Sequence, residues 1–87
     1  MNLNKPIIIA QFWRNRRSEA VVVQIGEFQG RVIVDARVNF VDRDGKFQPT
    51  RKGLAVSVHR LRQLVAALAK TERKARELGL LGEAVSP

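Results

Sequence analysis

RVIVDARVNFV, residues 31–41, is the stretch from which the fold is read. Val32, Val34, Ala36, Val38 and Phe40 fall on one side of an extended chain, and Arg31, Asp35, Arg37 and Asn39 on the other. Only Ile33 and Val41 break the alternation. A period of two with one apolar and one polar side predicts an antiparallel strand, one face on a core and the other open to water or a ligand.

Working outward, Asp42-Arg43-Asp44-Gly45 predicts a hairpin turn, because Asp-Gly supplies the backbone geometry such turns need. Lys46 to Pro49 reads as a short returning strand, Thr50-Arg51-Lys52-Gly53 as a second basic turn, and Leu54 to Val58 as a last strand. On the N-terminal side, Ile7 to Trp13 and Ala20 to Ile25 are β-branched runs and read as strands. A basic turn, Arg14-Asn15-Arg16-Arg17-Ser18, separates them. Gly26 ends the second run, and Gly30 stands where a tight turn favours positive φ. From Ser57 the period changes to that of a helix, with Leu61, Leu64, Val65, Leu68, Ala75 and Leu78 on one stripe. Ser57 is its expected N-cap and Gly79 its expected stop.

The plan is α+β, antiparallel strands followed by one amphipathic helix. The apolar stripe of the helix is expected to cover the apolar face of the sheet. Residues 7–79 form one domain on this reading, between short flexible tails at 1–6 and 80–87. A chain of 87 residues buries little surface, so association into a homodimer would help complete its core.

Sixteen Lys and Arg against eight Asp and Glu give a net charge of +8. Such an excess points to a polyanion, because each phosphate neutralised releases condensed counterions. Catalytic chemistry has no foothold: cysteine is absent, His59 is the single histidine, and Asp42 and Asp44 sit where a turn favours Asp. No enzyme activity, metal or cofactor is therefore expected. No signal peptide or membrane span is read, so the expected location is cytoplasmic and nucleoid-associated, without a membrane partner.

Single-strand binders combine basic grooves with aromatic faces on which bases stack. The aromatics are Phe12, Trp13, Phe28, Phe40 and Phe47, each taken singly more often core than platform. Phe28, at a strand end before Gly30, is the one best placed for exposure.

The segment VVQIGEFQGRVIVDARVNFVDRDGKFQPTRKGLAVSV, residues 22–58, resembles the single-stranded-DNA-binding domain of the transcriptional coactivator positive cofactor four, including Sub1 and the small bacterial proteins of that family. The ordered set Phe28-Gln29-Gly30-Arg31, Val34-Asp35-Ala36-Arg37, Asp44-Gly45 and Pro49-Thr50-Arg51-Lys52-Gly53 carries the resemblance. It implies a strongly curved four-stranded antiparallel sheet and a long helix, assembled as a homodimer that grips single strands or melted duplex with little sequence preference. It also implies a role in transcription regulation or DNA maintenance, with the transcription machinery as a further partner.

By the same resemblance Phe28 stacks on a base, Arg31 contacts the backbone, Arg37 corresponds to the strand arginine, and Lys52-Gly53 to the Lys-Gly turn, with Arg51 beside it. Arg14, Arg16 and Arg17 add a basic loop near the sheet edge. Two departures stand out. Phe40 replaces a second stacking aromatic, a tryptophan in the eukaryotic proteins, and strict alternation puts it on the core side unless a bulge or twist exposes it. Gln48 replaces a basic residue before the proline. The alternatives are RNA as the ligand, since an open basic sheet can stack unpaired RNA bases, and a protein-interaction module docking an acidic transcription partner.

Overall fold

The computed structural model of the protein describes residues 5–16 and 18–82; Arg17, 1–4 and 83–87 lie outside the described residues. The elements run β1 (Ile7–Trp13), β2 (Glu19–Phe28), β3 (Arg31–Val41), β4 (Phe47–Ser57), a 3-10 turn (Val58–Arg60) and α1 (Leu61–Glu77). The strands form one antiparallel sheet in the order β1-β2-β3-β4. The expected α+β plan, a four-stranded antiparallel sheet followed by a C-terminal helix, is therefore the observed one.

β1 and β3 occupy the residues that β-branched content and alternation, respectively, predict. β2 runs past Gly26 to Phe28, because Gly26 does not turn the chain: Pro6 packs over the space where its side chain would be. The β2–β3 turn is the two residues Gln29 and Gly30, with φ of 53° and 78°. Both lie in the left-handed region that a tight hairpin with the right-handed strand twist demands. Phe28 and Arg31 consequently stand directly opposite each other.

β4 corrects the sequence reading most. In place of the two short strands and basic turn read over residues 46–58 there is one strand, Phe47–Ser57, that continues through Arg51, Lys52 and Gly53. Asn39 pairs with Pro49 and Arg37 with Gly53, so Thr50, Arg51 and Lys52 together face Val38 alone. The extra residues form a bulge. Thr50 holds it, its Oγ1 donating to the Val38 carbonyl at 2.8 Å and accepting from the Lys52 N–H at 3.1 Å. Pro49 is tolerated because β4 is an edge strand.

Cross-strand pairing sorts the sheet into two faces. One carries Gln11 and Trp13 of β1, Ala20, Val22, Gln24 and Phe28 of β2, and Arg31, Ile33, Asp35, Arg37 and Asn39 of β3. The other carries Val32, Val34, Ala36, Val38 and Phe40. Trp13 on β1 and Phe47 on β4 belong to opposite edges, yet their ring centroids are 6.0 Å apart. Three strand spacings of a flat sheet would separate those edges by about 14 Å. The sheet is therefore curled, with the Trp13–Arg37 face concave.

The helix does not cover the apolar face. α1 keeps in touch with the chain chiefly through the 3-10 turn, which rests on β3. None of its residues is buried, and Val65 and Leu68 are more than half exposed. The expected convex core is accordingly incomplete: of its five β3 members only Val34 is buried, and Phe40 is exposed. The radius of gyration, 15.0 Å, exceeds the roughly 13 Å of a compact 100-residue domain. The remaining buried side chains, Ala20, Val22 and Asn39, lie on the concave face, where curvature brings neighbours over them.

Ser57 caps the 3-10 turn, its Oγ accepting from the His59 N–H at 3.2 Å. Gly79, φ 72°, ends α1 in a double reverse cap: its N–H reaches the Arg76 carbonyl and the Leu80 N–H the Ala75 carbonyl.

A Cβ at position 53 would lie 2.6 Å from the Ala36 carbonyl oxygen and 2.7 Å from the Arg37 Cα, backbone atoms that cannot step aside. Gly53→Ala is expected to destabilise the fold by about 1–3 kcal/mol, about 4–8 °C of melting temperature per kcal/mol. Gly26→Ala, which meets only Pro6 at 3.4 Å, should cost much less. Thermal unfolding followed by circular dichroism compares the two; equal losses would contradict the bulge as described.

Candidate nucleic-acid interface

Three adjoining cavities line the concave face. The largest, about 420 Å³, is bounded by Phe28, Gly26 and Gln24 of β2, Ile33, Asp35 and Arg37 of β3, and Ala55 of β4. The second, about 280 Å³, shares Gln24 and Asp35 with it and extends to Gln11, Asn39, Phe47 and Pro49. The third, about 100 Å³, lies under Trp13 and Phe47. Together they make a trough from Phe28 at one end to Trp13 at the other.

Phe28 stands at the first end, 66% exposed at the tip of the β2–β3 hairpin. A ring that open, held by a tight turn, contributes little to the core; its face is available for stacking. Arg31, also exposed, is its direct cross-strand neighbour, so the two side chains leave the same face with Cβ atoms about 5 Å apart.

Arg37 lies midway, and it is positioned rather than free. Its Nη2 donates to Asp35 Oδ1 at 2.9 Å, its Nε to both Asp35 carboxylate oxygens at 3.2 Å, and its Nη1 to the Thr50 carbonyl at 3.0 Å. Hydrogen bonding to Asp35, and then the Asp35 charge, raises the Arg37 guanidinium above its ordinary pKa, so the side chain stays cationic. Both partners keep partial access to water, 25% and 18% exposed as side chains. The pair therefore sets the direction of the guanidinium while moderating its field. Arg51 and Lys52 are exposed on the bulge whose first carbonyl Arg37 holds.

At the far end the β1–β2 turn carries Arg14 and Arg16. It is closed by the Arg14 N–H on the Glu19 carbonyl at 2.8 Å, with Ser18 at φ 64°. Glu19 Oε1 receives Asn15 Nδ2 at 2.6 Å and Arg14 Nη1 at 3.2 Å, while Arg14 remains 44% exposed. Arg16 is exposed; Arg17, expected beside it, lies outside the described residues.

The β3–β4 hairpin is organised by Asp42, whose Oδ1 accepts from the N–H groups of Asp44 and Lys46. Its Oδ2 accepts from Gln48 Nε2 at 2.8 Å. These bonds, that of Lys46 foremost, hold the Asp42 carboxyl below the usual range. Gln48, where a phosphate-contacting base was expected from the resemblance, is thus a tether for the turn.

The structure brings Phe28, Arg31 and Arg37 onto one face, with Arg51 and Lys52 at its margin. Phe40 is not among them. The β2–β3 register is unbroken through it, so it projects from the convex side beside Val38, where Gln48 is its β4 partner. Trp13, Phe47, Gln24 and Asp35 line the trough without having been singled out from sequence. The signal for Trp13 was available only once its pairing with Ala20 was known. Among the described residues no group of His, Cys, Asp and Glu could hold a metal, and no helix is long and apolar enough to cross a membrane.

A family model for Transcriptional Coactivator p15 (PC4) matches residues 15–67, well over half of the chain. The chain belongs to the PC4 family. Crystal structures of BPSL1147, a PC4 homolog from Burkholderia pseudomallei K96243, are similar to it. The orthorhombic form is 29% identical with a TM-score of 0.71, over 84% of this chain and 97% of that one. The tetragonal form is 29% identical with a TM-score of 0.68, over 78% and 98%. The bacteriophage T5 homolog of PC4, described as implicated in recombination-dependent DNA replication, shares the fold. There the identity is 20% and the TM-score 0.55, over 87% of this chain and 82% of that chain. The PC4-family match spans the hairpin of Phe28, the Arg37 strand and the bulge; β1, with Trp13, precedes it.

Proposed function

We propose that the protein is a non-catalytic, sequence-tolerant binder of single-stranded DNA or of unpaired strands in melted duplex, acting as a homodimer. The observation that carries this reading is the open Phe28 ring beside Arg31, at the rim of a cavity whose wall holds a fixed Arg37. A flat aromatic face and a row of cations are what a strand of stacked bases and phosphates needs. Arg31, Arg51 and Lys52 serve as phosphate contacts, and Arg14 and Arg16 extend them past the β1–β2 turn. Membership of the PC4 family supports the same reading, and the role proposed with it is transcription regulation or DNA maintenance, beside the nucleoid.

The homodimer follows from surface that one chain leaves uncovered. The stripe of α1 and the convex side of the sheet are both apolar and both incomplete. Each buried leucine or valine would contribute about 1.5–3 kcal/mol, and a second copy supplies complementary surface for both at once. Wild-type protein should sediment at twice the chain mass, and Leu68→Glu on α1 should shift it toward the monomer. A wild-type monomer at micromolar concentration would overturn the dimer.

Fluorescence anisotropy of labelled oligonucleotides at two salt concentrations tests the ligand. Binding should be tighter to single strands than to duplex and should weaken with salt. Phe28→Ala should lose about 1–3 kcal/mol with little change in salt slope. Lys52→Ala should flatten that slope by about 0.7, the share of one phosphate contact on a single strand. Affinity indifferent to salt, or preference for duplex, would contradict the reading.

A further inference from the structure

We propose that the outward face of α1 is a second DNA surface, one that takes the phosphate backbone of duplex. Successive helical residues turn by about 100°, so Arg62, Lys70 and Arg73 share about 80° of arc, on the side away from Leu64, Leu68 and Ala75. All three cations are exposed, and none has a hydrogen-bond or ion-pair partner among the described residues. The two acids of the helix are engaged elsewhere, Glu72 with Arg76 and Glu77 with Lys74, each at 3.8 Å. The charge of Arg62, Lys70 and Arg73 is therefore left to solvent or to a partner.

Spacing and composition favour the partner, and favour duplex as its identity. Ala66 and Ala69 stand between the cations, so no long side chain keeps a DNA backbone off the helix. Eight residue steps from Arg62 to Lys70 are about 12 Å along the axis, and eleven to Arg73 about 16.5 Å. The major groove of duplex is about 12 Å wide, so one rigid face can meet phosphates on both of its walls. α1 carries no aromatic residue, so unpaired bases find nothing there to stack on. Duplex also has about twice the charge per length of a single strand, which is what a purely cationic face draws on.

The two DNA surfaces are separate, because α1 touches the rest of the chain chiefly through the 3-10 turn. Ser57, which caps that turn, pairs with Ile33, two residues from Arg31. A duplex on α1 thus begins beside the strand proposed to lie on Phe28 and Arg31. That placement rests on the single-strand reading above; the duplex surface itself goes beyond it.

Anisotropy of two labelled ligands, a blunt-ended duplex and oligothymidine, supplies the test. Wild-type protein should bind the duplex with an affinity that falls with salt. Replacing all three cations, Arg62→Gln, Lys70→Gln and Arg73→Gln, should flatten the duplex salt slope by about 2.7, the share of three phosphate contacts. The oligothymidine slope should not change. Wild-type protein saturated with unlabelled oligothymidine should still bind the labelled duplex. Displacement of the duplex by oligothymidine would mean one shared surface and would overturn the proposal, as would a duplex slope unchanged in the triple variant. Equal flattening on both ligands overturns it too, since the three cations then act only as a general field. Polyglutamate that displaces the duplex at equal charge concentration would assign the face to an acidic protein and overturn it likewise. Duplex binding without oligothymidine binding would overturn the single-strand reading and leave the duplex surface standing. The competition uses wild-type protein, so it decides the matter even if the triple variant does not fold.

Discussion

The concave face depends on how β4 passes Val38. Three residues on one strand opposite one on the other cannot lie flat, so the strand bends and twist increases. Thr50 fixes that bend from inside, through Val38 and Lys52, and Arg37 fixes it from the neighbouring position, through the Thr50 carbonyl. Gly53 then lets β4 close again on Ala36 and Arg37 at a separation no side chain would permit. The same bonds that shape the sheet therefore aim the central cation of the trough. A second irregularity, in the β1–β2 register between Ile8 and Ala10, lies toward the other edge. The curl across these strands is what lets Trp13 reach Phe47.

Curvature also explains where the fold is tight and where it is not. On the concave side small or short residues, Ala20, Val22 and Asn39, are buried by neighbours that the bend brings together. Asn39 is buried without cost because its amide donates to the Arg37 carbonyl at 3.1 Å. On the convex side the same bend spreads the β-branched residues apart, and α1 departs from the sheet and does not cover them. A single chain is thus completed on the face proposed for DNA and left incomplete on the face proposed for its partner. Folding and assembly are joined in such a protein, since the missing apolar burial is a large fraction of what a chain of this size can gain.

Local pattern made much of this legible. The alternation of 31–41 places β3 and divides its residues between the two faces, and β-branched density places β1. The Ser57 cap and the Gly79 stop bracket the helical region, and Phe28 before a turn reads as exposed. What alternation cannot show is which residues share a face across strands, because that depends on register. Trp13 acquires its place only through Ala20 and then through Phe47, a residue 34 positions away. Pro49 and Gly53 read as turn residues because turns are where Pro and Gly usually fall; in β4 they serve an edge and a close approach instead. Likewise the stripe of α1 says that the helix must be covered and nothing about whether its own sheet does so. Phe40 keeps the face that its strand assigns it and is exposed there.

The central claim is that the exposed Phe28 ring, beside Arg31 and the fixed Arg37, is part of a single-strand-binding surface. The four phenylalanines, Phe12, Phe28, Phe40 and Phe47, sample both faces and can all be replaced by fluorophenylalanine. Fluorine nuclear magnetic resonance with and without saturating oligothymidine then reads them together. The account predicts that the Phe28 resonance moves on binding. A Phe28 resonance that stays in place at saturation would contradict it.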